Sequence, residues 1–155
     1  VAATGFAGVD TVDSFCNNQA GFAGLPGTYA AWISDANSSP ATRFTHSTVP
    51  YVLLNDLVVA NDWADLTNGS IKTRINVSEF ENIIEGGCSV TGVWTATTPS
   101  GGYAGGPDCE GWTTNEDQIS AGVLGSAGES NSKWTEGGCS ERSCGEAAHV
   151  YCFQQ

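Results

Sequence analysis

The stretch GVDTVDSFCNNQA, residues 8–20, has the clearest periodic pattern in the chain. Its apolar residues recur at helical spacing, which predicts an amphipathic helix with one apolar stripe. The stripe consists of Val9, Val12, Phe15, Cys16 and Ala20. Gly21 and Gly24 follow this segment, and glycine favours the end of a helix.

After this helix, short apolar runs bounded by turn-forming residues predict strands. The runs are residues 29–34, 49–54, 57–60, 93–95, 111–113 and 149–153. The last run is nearly all apolar, which predicts a central strand. Asn55-Asp56 predicts a tight turn between two of the other strands. Residues 97–107 and most of 115–133 are rich in glycine and polar residues, which predicts loops.

Two short segments have the residues of a helix start. Asp62 and Asn76 are each followed three positions later by a carboxylate, in Asp65 and Glu79. Few helices, several short strands and long loops together predict an α+β fold. No linker divides the sequence, so we expect a single domain over residues 1–155.

The charge balance excludes several classes of partner. The 155 residues include 17 acidic and five basic side chains, which gives a formal net charge of -12. So few cations cannot neutralise the phosphates of a nucleic acid, and binding to an anionic membrane surface is disfavoured for the same reason. No apolar run approaches the roughly 20 residues of a membrane-spanning helix. We therefore expect no nucleic-acid partner and no membrane insertion.

The cysteines indicate the compartment. Six of them in a small acidic chain are typical of three disulfides, which predicts a secreted or cell-surface protein. Six cysteines allow 15 pairings, and spacing alone does not choose among them. The alternative is a zinc site, for which the gap between Cys139 and Cys144 is short enough, although the other four are scattered and lack a regularly spaced histidine.

Several short motifs follow one another along the chain, and their order carries a family resemblance. They are Tyr29-Ala-Ala-Trp-Ile-Ser-Asp35, Val49-Pro-Tyr-Val-Leu-Leu54, Trp63-Ala-Asp-Leu-Thr-Asn-Gly-Ser70, Val93-Trp94, Cys109-Glu-Gly-Trp-Thr113, and Cys144 followed by Val150-Tyr-Cys-Phe153. Over about residues 5–155 the chain resembles the bacterial endostatin-like domains, which include the leptospiral endostatin-like surface proteins. The resemblance implies a C-type-lectin-like fold: an antiparallel sheet, one or two helices and a long irregular loop region stapled by disulfides.

The resemblance also implies two disulfides, Cys109–Cys144 and Cys16–Cys152, the second of which ties the two ends of the domain together. Cys88 and Cys139 then remain, and we pair them as an addition to the family set.

Two ligands of vertebrate endostatin do not carry over. The paired arginines that bind heparin fall where this chain has Gly102 and Tyr103, and the N-terminal zinc histidines have no counterpart. We therefore expect no heparin binding, and the fold alone is transferred.

No pattern in the sequence indicates catalysis. His46 and His149 are the only histidines; we expect His46 in a surface loop and His149 in a buried strand. No Gly-x-Ser-x-Gly nucleophile elbow is present, and no spacing among the 17 acids singles out a carboxylate pair. We therefore expect a non-enzymatic protein without a cofactor.

Calcium is the one metal that we consider. Asn115, Glu116 and Asp117 place oxygen ligands on a glycine-rich loop and are weak calcium candidates. For the similar cluster at residues 61–65, helix capping by Asp62 is the simpler interpretation.

The tryptophans divide into two groups. The first group lies in predicted strands and turns and is expected to pack in the core: Trp32, Trp63, Trp94 and Trp112. Trp134 lies among polar residues and Tyr103 in a glycine-rich loop, so both are expected to be exposed contact residues. The predicted ligand site is therefore Tyr103, Asn115, Glu116, Asp117 and Trp134.

These inferences favour a secreted or surface-displayed binding module. The resemblance implies adhesion to extracellular matrix, glycoprotein or glycan ligands. The alternative is a structural subunit of an extracellular filament, sheath or surface layer, whose partners would be copies of itself.

Overall fold

The protein is described by a computed structural model over residues 2–3, 6–116 and 121–155. These ranges contain five α-helices, all short apart from the first: α1 (Val9–Phe22), α2 (Pro40–Arg43), α3 (Trp63–Leu66), α4 (Cys88–Thr91) and α5 (Cys109–Trp112). The strands are β1 (Ala2–Ala3), β2 (Tyr29–Ala31), β3 (Tyr51–Val52), β4 (Val58–Ala60), β5 (Gly92–Trp94), β6 (Ala121–Ser126), β7 (Cys139–Ser143), β8 (Ala148–His149) and β9 (Cys152–Gln154). The described chain is thus a mixed α+β fold with small sheets, as expected from the sequence.

The predicted first helix is confirmed. Val9, Val12, Cys16 and Ala20 form its buried face, and the helix runs two residues beyond the predicted stretch. Gly24, with a φ of 71°, follows its C-terminus in the left-handed region that glycine enters without steric cost. This helix covers the outer edge of β2, because the Tyr29 N–H donates to Asn17 Oδ1 at 2.9 Å and the Ala31 N–H to Asp13 Oδ1 at 2.7 Å.

The largest sheet has the strand order β1-β8-β5-β6-β7, and only β8 and β5 in it are parallel. Two of its strands differ from the sequence analysis, since β6 lies in the expected 115–133 loop and β7 was not expected. Strand β6 is hard to recognise in the sequence because it contains glycines at which other residues approach closely. A Cβ on Gly125 would lie 2.1 Å from the Trp134 carbonyl oxygen, and a Cβ on Gly122 would lie 2.6 Å from the Trp94 ring. Close approach therefore requires glycine in β6, and this removes the alternating side chains by which a strand is recognised.

Two other sequence predictions of local structure are wrong or incomplete, and a third is confirmed. The run 149–153 is divided between β8 in the large sheet and β9, which pairs with β2. Residues 76–79 do not begin a helix; Val77 instead forms an isolated bridge with Ile83. The helix start at Asp62 is confirmed, because its carboxylate accepts from the Asp65 N–H at 2.8 Å.

The segment expected as a strand at residues 111–113 begins in α5, which is a single turn with left-handed backbone angles and not an ordinary α-helix. Cys109, Glu110, Gly111 and Trp112 have φ values of 55°, 57°, 67° and 63°. The turn is held by Asp108, whose carboxylate accepts from the Gly111 N–H at 2.9 Å and whose carbonyl accepts from the Trp112 N–H at 2.8 Å. Four left-handed residues in succession leave no extended backbone for a strand.

The core consists of two clusters of buried residues, one around Trp94 and Trp112 and one around Trp32. These three tryptophans are buried as predicted, whereas Trp63 is only partly buried. The expected exposure of Trp134 is wrong, because its side chain is 0% exposed and its ring lies 4.9 Å from that of Trp32. A single 3₁₀ turn, Ser132–Trp134, directs the Trp134 side chain inward and leaves Ser132 and Lys133 in solvent, whereas the next residue, Thr135, is buried like Trp134.

Three disulfides join the elements, and they are the three pairs expected. Cys16–Cys152 links α1 to β9, Cys88–Cys139 links α4 to β7, and Cys109–Cys144 links α5 to the end of β7. Within the described ranges, no helix is long and apolar enough to cross a membrane.

Candidate functional site

A groove of about 630 Å³ lies beside strand β9. One side is formed by α1, through Phe15, Gln19 and Ala20. The other sides are formed by the β3–β4 hairpin and by residues 75–84. The volume falls within the roughly 300–1,000 Å³ of typical ligand sites.

The edge of β9 at this groove has free main-chain groups. Ala30 pairs with Phe153, and the N–H groups of the flanking Tyr29 and Ala31 point away to α1. Hydrogen-bonded and non-bonded pairs alternate in an antiparallel ladder, so Cys152 and Gln154 direct their N–H and C=O groups away from β2. Among the described residues, no main-chain partner occupies these groups.

The hairpin beside the groove exposes apolar side chains. Val49, Val52, Leu54 and Leu57 are 63%, 56%, 39% and 50% exposed. Burial of such side chains is favourable by about 25 cal/mol per Å² of apolar surface, so a ligand that covers them gains binding energy. The hairpin is fixed at its base by Tyr51, whose ring lies 5.7 Å from that of Phe153.

The segment of residues 75–84 forms a further wall and exposes more apolar surface. Ile75, Val77 and Ile84 line the groove. Phe80 and Ile83, in the same segment, are 54% and 56% exposed. The groove is thus bordered by two projecting loops with apolar side chains.

Charge in and around the groove is negative. The lining contains Asp56 and Glu79, and it contains no Lys or Arg within the described part of the chain. Glu81 and Glu85, in or next to the 75–84 segment, are exposed. Burial lowers the pKa of the groove residue His149, so its imidazole is neutral at pH 7.

Most cations of the chain are engaged elsewhere. Arg43 pairs with Asp13 at 2.7 Å, and the Lys72 ammonium lies 3.5 Å from the Asp65 carboxylate. The Arg142 guanidinium donates to the Ala147 carbonyl at 2.6 Å. These three cationic side chains thus make their contacts outside the groove lining.

The structure places Tyr103 and Trp134, two of the residues predicted to bind a ligand, against different clusters of the core. Tyr103 is partly buried, and its hydroxyl lies 3.0 Å from both the Gly106 carbonyl and an Asp108 carboxylate oxygen. Burial and this carboxylate raise the pKa of Tyr103. Tyr103 packs against the cluster around Trp94 and Trp112, whereas Trp134 belongs to the cluster around Trp32.

The calcium candidates lie after α5. Asn115 and Glu116 are exposed, and Asp117 lies outside the described residues. Where the structure describes the chain, no group of three or more His, Cys, Asp and Glu side chains could hold a metal ion.

Sequence reasoning missed the groove. One signal was present in the run of residues 51–54, Tyr-Val-Leu-Leu, since a strand of four consecutive apolar residues places side chains on both faces. A hairpin that packs by one face must expose the other. The open edge of β9 had no sequence signal.

No protein-family model matches the chain, and no curated protein matches it significantly.

Proposed function

We propose that this chain is a non-enzymatic extracellular binding module that holds part of a protein ligand in the groove beside β9. The observation that supports this is the exposed apolar surface at the groove, with Val52 and Leu54 in its lining. Clustered exposed apolar side chains beside a concave surface are typical of interaction sites. A glycan, which needs many hydrogen-bonding side chains, suits this lining less well than a protein.

The extracellular location is supported by the three disulfides, since such bonds persist in oxidising compartments. The endostatin-like, C-type-lectin-like fold belongs to the same proposal. It is supported by the order of the sequence motifs and by the Cys16–Cys152 bond beside the β2–β9 pair, which joins the early and late parts of the chain.

A filament or surface-layer subunit is the second candidate. The open β9 edge and the exposed hairpin would suit contacts between copies. The net charge of -12 opposes that arrangement, because like-charged copies repel one another. We therefore favour a ligand of different composition.

The test uses two matched double variants. Val52→Ser with Leu54→Ser changes the groove, whereas Phe22→Ser with Val90→Ser changes exposed apolar residues outside its lining. Binding to immobilised fibronectin, laminin and collagen would be measured by biolayer interferometry, with thermal unfolding of each variant as a folding control. We expect the groove variant to lose at least about tenfold in affinity for the matrix protein that binds, and the control variant to lose little.

Equal binding by the two double variants would contradict the proposed site. Failure of the unmodified protein to bind any matrix protein would contradict adhesion to matrix as the function.

A further inference from the structure

We propose that the ligand of the groove is an extended, basic segment of a partner protein, which adds to the open edge of β9 as a third strand. This inference rests on the proposed function and specifies the kind of ligand. It follows from the strand edge, the apolar walls and the charge of the groove.

The strand edge determines the shape of the ligand. Cys152 and Gln154 both line the groove, are exposed, and direct their main-chain groups away from β2. Every second residue of a strand directs its N–H and C=O groups to the same edge. Cys152 and Gln154 therefore present their donors and acceptors at the spacing that a neighbouring strand requires. An extended peptide satisfies these groups by strand addition, which is a common mode of peptide recognition. By contrast, α1 already covers the outer edge of β2, so within this two-stranded sheet strand addition is restricted to β9.

The walls determine which side chains the ligand carries. Alternate side chains of an added strand would point to opposite sides of the sheet. One set would meet α1 at Phe15 and Ala20, and the other would meet the hairpin at Val52 and Leu54. Apolar residues at some positions would therefore be buried in both directions.

Charge determines the remaining residues of the ligand. Asp56 lies in the lining, Glu81 and Glu85 are exposed on or beside the 75–84 segment, and no Lys or Arg lines the groove in the described ranges. With a net charge of -12, the chain attracts a cationic segment from a distance. A second copy of the chain would bring the same negative charge, and an anionic lipid surface would be repelled.

The experiment uses three synthetic peptides with blocked ends. The first is Lys-Val-Ile-Lys-Val-Ile-Lys, which places apolar residues on both faces of an extended strand. The second replaces every Lys with Glu, and the third is the first peptide N-methylated at all of its central residues, so that both of its edges lose donors. N-methylation removes N–H donors from the peptide without changing its charge. Fluorescence anisotropy at low ionic strength would give each affinity, using the complete chain with its disulfides intact.

We expect the basic peptide to bind at least about tenfold more tightly than either of the others, because the pairing bonds and the ionic attraction each contribute. Its affinity should also fall as the salt concentration is raised. Equal affinity of the N-methylated peptide would overturn strand addition. Equal affinity of the acidic peptide would overturn the basic composition.

A variant pair tests the strand edge from the side of the protein. Gln154→Pro removes the N–H that faces the groove, a position at which an edge strand tolerates proline. Gln154→Ala keeps that N–H and removes the side-chain bond to the Pro26 carbonyl, so it controls for the loss of that contact. We expect only the proline variant to lose binding of the basic peptide; equal binding by both would overturn the pairing at Gln154.

The remaining outcomes concern other occupants. Self-association of the chain in sedimentation, abolished by Val52→Ser with Leu54→Ser, would identify a second copy and overturn the inference. Binding to phosphatidylcholine vesicles that is abolished by the same two substitutions would identify a lipid surface as the occupant, and it would overturn the inference as well. If no peptide binds while a matrix protein binds through the groove, the inference fails and the proposed function stands.

Discussion

Two buried tryptophans provide a sharp test of the core. Trp32 and Trp134 are each 0% exposed, and their rings are 4.9 Å apart. The Trp32 Nε1–H donates to Thr135 Oγ1 at 2.6 Å, whereas Trp134 Nε1 is buried without an acceptor among the described residues. Substitution of either residue by Phe removes the same atoms from the same cluster, so the two variants differ mainly in the hydrogen bond.

The expected difference follows from the cost of polar groups in the core. Trp32→Phe loses a bond worth about 0.5–1.5 kcal/mol. Trp134→Phe removes a buried unpaired donor, whose burial costs about 1–3 kcal/mol. We therefore expect Trp32→Phe to lower the free energy of unfolding by about 1.5–4.5 kcal/mol more than Trp134→Phe does.

Guanidinium unfolding with intact disulfides would measure this difference, with far-UV circular dichroism and fluorescence compared to check two-state behaviour. Phe22→Ser, at a side chain 77% exposed, is the surface control and should change the free energy of unfolding by less than about 0.5 kcal/mol. An equal or larger decrease in the free energy of unfolding for Trp134→Phe would refute the reasoning, since it would mean that the Trp134 N–H makes a stabilising hydrogen bond.

Two further predictions concern the backbone and the pH dependence. Glu110 is exposed with a φ of 57°, so Glu110→Gly should raise the free energy of unfolding by about 0.5–1 kcal/mol and Glu110→Val should lower it, as measured by denaturant titration. A lower stability of the glycine variant would show that the left-handed turn is not strained at this residue. Burial lowers the pKa of His149 in the folded protein. As the pH falls below about 6.5, the His149 imidazole therefore binds a proton in the unfolded chain before it does so in the folded protein, and the free energy of unfolding decreases. His149→Gln should lose less stability than the unmodified protein between pH 7 and pH 5, and equal losses would contradict this assignment.

Local patterns were sufficient for elements whose residues interact with near neighbours. The α1 stripe is confirmed because four of its apolar residues face the core at helical spacing. The Asp62 cap is confirmed because its bond to the Asp65 N–H spans only three residues. The three disulfide pairs were expected through the family resemblance, since the cysteine spacing alone allowed 15 pairings.

Other elements depend on residues distant in the sequence. Strand β6 contains glycines because Trp94 and the Trp134 carbonyl approach it, and neither is its neighbour in the chain. Trp134 has polar neighbours, yet it is buried because Trp32 and Tyr151 pack around it. Propensity and periodicity describe a few adjacent residues, so they do not detect such contacts.

The sequence by itself determined the acidic charge, the first helix, the α+β class and a cysteine set typical of an oxidising compartment. Only the tertiary structure decided where apolar surface stays exposed and which strand edge stays open. Side chains of α1 cover β2, whereas Cys152 and Gln154 of β9 face a groove. The physical reason is that a strand edge is open or closed according to what packs beside it, and residues far along the chain supply that neighbour.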